Sequence, residues 1–288
     1  MIWFLLAFLG ACANASYNVA IKLMVRNADP LVLAACTYVA AGLLLFAVSA
    51  AAGMPVIGPA FLSAVLVTGS LNVVATVLYF HAVRTTDISL CIPMLSFTPV
   101  FLLASSALIL GESPSAAGIA GIALVVLGSY VINITGRCRT LSGPVRAMLG
   151  NRGVLSLFLV AFIYGISANY DKIAVVASDP YFASGTVFCF VGGALFAVRC
   201  AQERRLPTIP ARGLLAFAAI GAVLAVEAAS VNLAYTAAIV PYVISIKRLS
   251  ILMTVLFGWL IFREQEPMTR LAGASVMVMG ACCILLFG

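Results

Sequence analysis

Lys247 and Arg248 stand side by side within the apolar run IVPYVISIKRLSILMTVLFGWL. A charge at the centre of a membrane-spanning helix costs about 2.5–3.5 kcal/mol, so two adjacent cations cost about 5–7 kcal/mol if additive. Two readings of the pair are open. One is a buried ion pair with Glu227 or Asp171. The other, which we favour on the sequence, is the anionic group of a ligand. One carboxylate satisfies one cation but hardly both, and the guanidinium fork suits a phosphate or a carboxylate. The chemistry on offer is charge recognition, not bond making. No His/Asp/Glu cluster and no Ser-His arrangement supplies a reaction centre, so no enzyme is expected. The single histidine, His81, excludes a His-based metal cluster. No cofactor is expected either.

Other polar residues interrupt apolar runs at helical spacing. Lys172 lies in SANYDKIAVV, with Asn169 three residues earlier on the same face and Asp171 beside it. Asn14, Asn18 and Lys22 follow one another at i, i+4 and i+8, a stripe that must face the bundle interior or a water-filled cavity. Lys22 is equally a snorkelling lysine or a ligand. Asn72, Thr76 and Tyr79 form a similar stripe. Glu227 and Tyr235 share a face, with Asn232 beside them, and Tyr242 precedes the cation pair in its own run. Glu227 and Asp171 are each either an ion-pair partner or a proton-coupling carboxylate. Four cations (Lys22, Lys172, Lys247, Arg248) against these two carboxylates leave a cationic interior, which a solute of one or two negative charges would balance.

The elements that position these residues follow from composition. The chain has 288 residues, of which 64% are apolar and 9% charged, and its mean hydropathy is +1.18. An average soluble domain carries about 25% charged residues. Too little polar surface exists to dress a soluble protein. The expected fold is an all-α integral membrane protein of ten spans, roughly 2–25, 31–52, 59–83, 88–110, 116–134, 153–177, 181–199, 213–236, 239–262 and 269–287. Turn signals such as Asp29-Pro30, Gly53 to Pro59, Glu112-Ser-Pro114, Asp179-Pro180 and Pro207 to Pro210 separate them. MIWFLLAFLG has no basic residues ahead of it, so the first span is read as retained rather than cleaved.

Sixteen basic residues stand against nine acidic ones, a net charge of +7. Twelve are arginines outside the spans: 26, 84, 137, 139, 146, 152, 199, 204, 205, 212, 263 and 270. With ten spans all of them fall on the side opposite both termini. The positive-inside rule makes that side cytoplasmic and puts both termini outside, in what we expect to be a bacterial inner membrane. The charge thus speaks for membrane lipid, not nucleic acid, as the partner. The chain is expected to be a monomer or a homodimer. Cys36, Cys91, Cys189, Cys282 and Cys283 lie in apolar runs without CxxC spacing, which indicates neither disulfides nor a metal site.

The halves resemble each other. At an offset of 150, Lys22 meets Lys172, Asp29-Pro30 meets Asp179-Pro180 and Gly42 meets Gly192; at 152, Glu112 meets Glu264, and Gly121 and Gly128 meet Gly273 and Gly280. Residues 1–135 and 153–288 are read as two five-span repeats joined by a basic linker, 136–152. Five is odd, so the second repeat is inserted upside down. Inverted repeats mark alternating-access transporters, with the site near mid-membrane between the halves. Pro93 and Pro99 should kink the fourth span. Their equivalents, Ser245 and Ile251, are not prolines, so no kink is expected in the ninth. The paired glycines permit close helix packing, within the chain or in a dimer. Trp3 and Trp259 read as interfacial anchors. Asn133-Ile-Thr135 matches a glycosylation sequon but falls at the cytoplasmic face and is discounted.

Ten spans as five plus five, a Lys late in the first span and a Glu closing the fourth and ninth spans resemble the drug/metabolite transporter superfamily, and within it the EamA-type members. The resemblance implies a ten-helix basket whose cavity is lined by the first, third, fourth, sixth, eighth and ninth helices. SIKRLSILMTVLFG is similar to the ninth-span Lys-Arg stretch of triose-phosphate/phosphate translocators, which implies that Lys247, Arg248 and Lys172 hold a phosphate. Asp171 beside Lys172 departs from that pattern, and the lack of basic residues before the first span and after the second departs from many EamA relatives. The expectation is a secondary transporter of a small phosphorylated or carboxylated anion. The alternatives are an exporter of amino acids or other zwitterions, with Lys247 and Arg248 on the carboxylate and Glu227 on the ammonium, and a flippase for a lipid-linked phosphate headgroup.

Overall fold

The computed structural model describes residues 1–24, 29–86, 92–133, 150–203, 211–262 and 268–288. In lipid every backbone polar group must be satisfied within the chain, and for apolar runs of this length the helix does so. The helices are α1 (Ile2–Met24), α2 (Pro30–Ala52), α3 (Phe61–Thr85), a 3-10 segment (Ile92–Phe97) running into α4 (Thr98–Ile109), α5 (Ala116–Asn133), α6 (Arg152–Val176), α7 (Pro180–Glu203), α8 (Ala211–Tyr235), α9 (Val240–Lys247), α10 (Ser250–Phe262) and α11 (Met268–Phe287). Among the described residues seven helical runs are long and apolar enough by themselves to cross a membrane, the fourth of them being the 3-10 segment with α4. The shorter α5 forms the fifth span, α9 with α10 the ninth, and α11 the tenth.

The repeated Asp-Pro pairs start equivalent helices. Asp29 caps α2, its Oδ1 accepting from the Leu31 and Val32 amides, and Asp179 does the same for Tyr181 and Phe182 at the start of α7. Proline follows each aspartate at the first helical position, where its missing N–H costs nothing. The tertiary contacts of the two caps are also mates. Asp179 accepts from Ser49 at 2.8 Å, and Asp29 pairs with Arg199 at 2.9 Å, where Ser49 and Arg199 share the offset of 150. Packing obeys the same two-fold relation. α1 lies on α8 as α3 lies on α6, while α2 packs on α7 and α5 on α11.

The paired glycines are used inside the chain, at the α5–α11 crossing. A Cβ on Gly128 would sit 2.6 Å from the Gly273 carbonyl oxygen, and one on Gly121 would sit 2.9 Å from that of Gly280.

One expectation is corrected. The ninth span is broken as the fourth is, at the equivalent place: the 3-10 segment ends at Phe97 and α4 starts at Thr98, while α10 starts at Ser250, 152 residues on. No proline is needed there. The chain tightens through the cation pair by 3-10-type bonds, Arg248 N to Ser245 O at 3.2 Å, Leu249 N to Ile246 O at 2.9 Å and Ile251 N to Arg248 O at 3.0 Å. The break is therefore a property of the repeat, and Pro93 and Pro99 are one local way of making it.

Of the twelve flanking arginines, Arg152 and Arg199 are described; the side chains of the other ten lie outside the described residues, as do Cys91, Glu264, the sequon at Asn133 and the side chains of Lys22 and Trp259.

Candidate solute-binding site

The two adjacent cations part company. Lys247 Nζ lies 2.7 Å from Glu227 Oε1. The same oxygen accepts from Asn14 Nδ2 at 2.9 Å, and Asn14 Oδ1 accepts from Asn18 at 3.2 Å. Of the stripe on α1, Asn14 thus faces α8, where it completes the surroundings of a carboxylate that is only 6% exposed, while Asn18 is exposed. The side chain of Arg248, the next residue, makes no hydrogen bond or ion pair among the described residues. Its Nε is buried and unpartnered. Tyr164 of α6 lies within its electrostatic reach. Tyr164 is in turn a neighbour of Tyr79 and Glu227, and Tyr17 and Tyr38 stand close to the same carboxylate. Tyrosines of α1, α2, α3 and α6 are thus within electrostatic reach of these charged residues.

Lys172 has its own partner. Its Nζ donates to Glu112 Oε1 at 2.7 Å and to the Ala238 carbonyl at 2.8 Å. Glu112 Oε2 accepts from Ser106 Oγ at 2.7 Å and from the Val240 amide at 2.8 Å. Asn169 shares the α4-facing side of α6 with Lys172. It is fully buried, and its Nδ2 donates to Ser105 Oγ and to the Gly165 carbonyl, both at 2.9 Å.

Asp171 points elsewhere. Its Oδ1 accepts from Thr68 Oγ1 at 2.6 Å, Thr68 lies 2.7 Å from Ser167, and Asn72 donates to Ser167 at 2.7 Å. These hydroxyls and amide tie α3 to α6. Lys247 and Tyr235 are within electrostatic reach of Asp171, and Tyr235 also of Glu227 and Glu112. Two of the candidates lie apart from this centre. Asn232 donates to Ser184 on α7. The Tyr242 hydroxyl accepts from the Ser115 amide at 2.9 Å, and its ring stacks on Trp3.

Glu112 adds a third carboxylate to the charges read from the sequence. At the end of the fourth span it reaches Lys172, so Glu112, Asp171 and Glu227 stand with Lys172, Lys247 and Arg248 among the described side chains. Lys22, the fourth cation of that reading, has its side chain outside the described residues. In the sequence Glu112 stands out as the repeat mate of Glu264 and as the glutamate that closes the fourth span, not as a site residue. Its partner was legible in one respect: Glu112 and Glu264 recur with Lys22 and Lys172, a duplicated pair of opposite signs. Thr68, Ser167 and Tyr164 carried no such signal, since single hydroxyls are ordinary in spans.

Ten spans in two inverted repeats around charged mid-span residues define an integral membrane transporter of small solutes. The chain belongs to the EamA-like transporter family, whose profile matches residues 1–134 and 151–286. No curated protein matches it. A solved structure described only as a protein crystal structure is similar in fold, with a TM-score of 0.79 at 17% identity, over 99% of this chain and 97% of that one. Among the described residues no group of His, Cys, Asp or Glu could hold a metal ion.

Proposed function

We propose that this chain carries a small carboxylate-bearing metabolite across the membrane by alternating access, and that Arg248 anchors the anionic group. The observation that carries this reading is the unpartnered guanidinium at the break of the ninth span. An arginine at mid-span needs a stated partner, and Lys247 and Lys172 already have theirs. A phosphate held by three cations would have to take Lys247 from Glu227 and Lys172 from Glu112. A single carboxylate needs only Arg248, whose fork binds it through two parallel hydrogen bonds.

A second reading is favoured by Asp171, a carboxylate with one oxygen left open. A zwitterion would set its carboxylate on Arg248 and its ammonium against Asp171, whose Oδ2 has no hydrogen-bond partner among the described residues. Thermal unfolding of the purified protein with succinate, glutamate and glycerol 3-phosphate separates the readings, because a ligand stabilises the state it binds. Stabilisation by succinate supports the simple carboxylate, by glutamate alone the zwitterion. Stabilisation by glycerol 3-phosphate alone would overturn both.

The orientation rests on the arginine asymmetry: the face that carries the chain ends is placed outside a bacterial cytoplasmic membrane. A C-terminal reporter active only in the cytoplasm would refute it.

A further inference from the structure

The face of the protein that carries the chain ends, here the terminal face, is closed by a specific clasp. The cavity helices pack as two bundles, α1 with α8, α9 and α10 in one and α6 with α3 and α4 in the other. On the terminal side the bundles meet, α9 packing on α4 and on α6. On the opposite side α10 packs on α1 and α5, and the 3-10 segment on α6 and α5, with no comparable packing of α10 on the 3-10 segment among the described residues. The same span pair is therefore joined at one end and apart at the other.

The bonds across the joined end are few and strong. Glu112 and Lys172 belong to one bundle and form an ion pair at 2.7 Å. Each then reaches across to the backbone between α8 and α9. Lys172 donates to the Ala238 carbonyl, and Glu112 accepts from the Val240 amide. Val240 is the first residue of α9 and Pro241 the next, so the Val240 amide is one of the few N–H groups at this helix start and has no partner within the helix. A carboxylate there also meets the positive end of the helix dipole. The pair lies away from bulk water, its side chains being 17% and 11% exposed. Once the bundles separate, the ion pair survives within its own bundle, and of the clasp's own bonds those to Ala238 and Val240 are lost. A contact that is firm when made, and cheap to leave because its charges stay matched, is what a gate requires.

We propose that the Glu112–Lys172 pair is the gate of the terminal face, and that it holds the α8–α9 connection in the closed state by clasping Ala238 and Val240. Lys172 is then a positioning residue of the transport cycle and not a ligand of the solute. The inference rests on the alternating-access reading but not on the identity of the solute.

The test uses the full chain with its eight native cysteines replaced and spin labels on cysteines introduced at Ser113 and Ala237. Both positions are exposed, one on each side of the clasp. Without solute, Glu112→Ala and Lys172→Met are each expected to add a population with a label separation longer by several ångströms. Amide exchange in the peptide spanning Val240 should quicken at least tenfold. Glu112→Gln keeps the shape of the side chain and serves if the alanine variant folds poorly. Arg248→Gln should leave the distances as they are while lowering solute affinity, which separates a failed gate from a failed binding site. Unchanged distances and exchange in folded Lys172→Met and Glu112→Gln would overturn the proposal.

Discussion

Lys247 and Arg248 are consecutive in the chain, yet Lys247 Nζ closes on Glu227 at 2.7 Å while the Arg248 side chain finds no partner among the described residues. The divergence follows from helix geometry, since neighbouring residues point about 100° apart. The break at Arg248 adds to it by turning the chain between α9 and α10. One cation thereby holds α8 to the ninth span, and the other is left with Tyr164 of α6 within its electrostatic reach.

Arg248→Gln should remove solute binding without unfolding the protein. A hydrogen bond to a charged group contributes about 1.5–3 kcal/mol, so affinity should fall roughly ten- to a hundredfold. Melting temperatures with and without ligand, read beside the yield of monodisperse protein, check this. Equal ligand stabilisation of variant and wild type would contradict the assignment.

The Lys247–Glu227 pair should respond asymmetrically. Removing one partner of a buried pair costs about 3–5 kcal/mol because the other is left charged and alone. Glu227 is 6% exposed and Lys247 30%, so Lys247→Met should fall in that range and Glu227→Gln below it. The double variant should be more stable than Lys247→Met alone. Unfolding in detergent of the three variants measures the cycle, and additive losses would show that the two residues do not act as a pair.

Asp171→Asn separates the two solute readings. It should weaken binding of glutamate by roughly tenfold and leave succinate unchanged if Asp171 meets an ammonium group, as expected from the strength of one charge-assisted bond. Equal effects on both probes would confine Asp171 to its bond with Thr68.

Gly128→Val should destabilise the fold while sparing transport by the molecules that remain folded. Its Cβ would meet backbone on the facing helix, at 2.6 Å from Gly273 O, and overpacking of this kind costs about 1–3 kcal/mol. A lowered Tm with unchanged solute stabilisation is the expected pair of results. A loss of solute stabilisation in correctly folded protein would place α5 closer to the site than its packing suggests.

Much of the architecture was legible in the residues. Asp29-Pro30 and Asp179-Pro180 announced two equivalent helix starts because a capping carboxylate followed by proline acts locally. The break in the ninth span was not legible, because no proline marks it and the chain there is turned by 3-10 bonding around two cations. Glu112 was not counted with the interior charges because it stands in a connection, and only the fold brings it back over Lys172.

By itself the sequence determined the span count, the repeat, the helix starts and which face of each helix is polar, all of which depend on neighbours within a turn or two. The tertiary structure alone decided which polar face meets which. Asn14 and Glu227 are 213 residues apart, and Lys172 and Glu112 are 60 apart. Periodicity gives a residue its direction from the helix axis but no information about the helix that lies in that direction. The choice of partner, and with it the distinction between a paired lysine and an arginine left open, comes from how the two inverted halves close on each other.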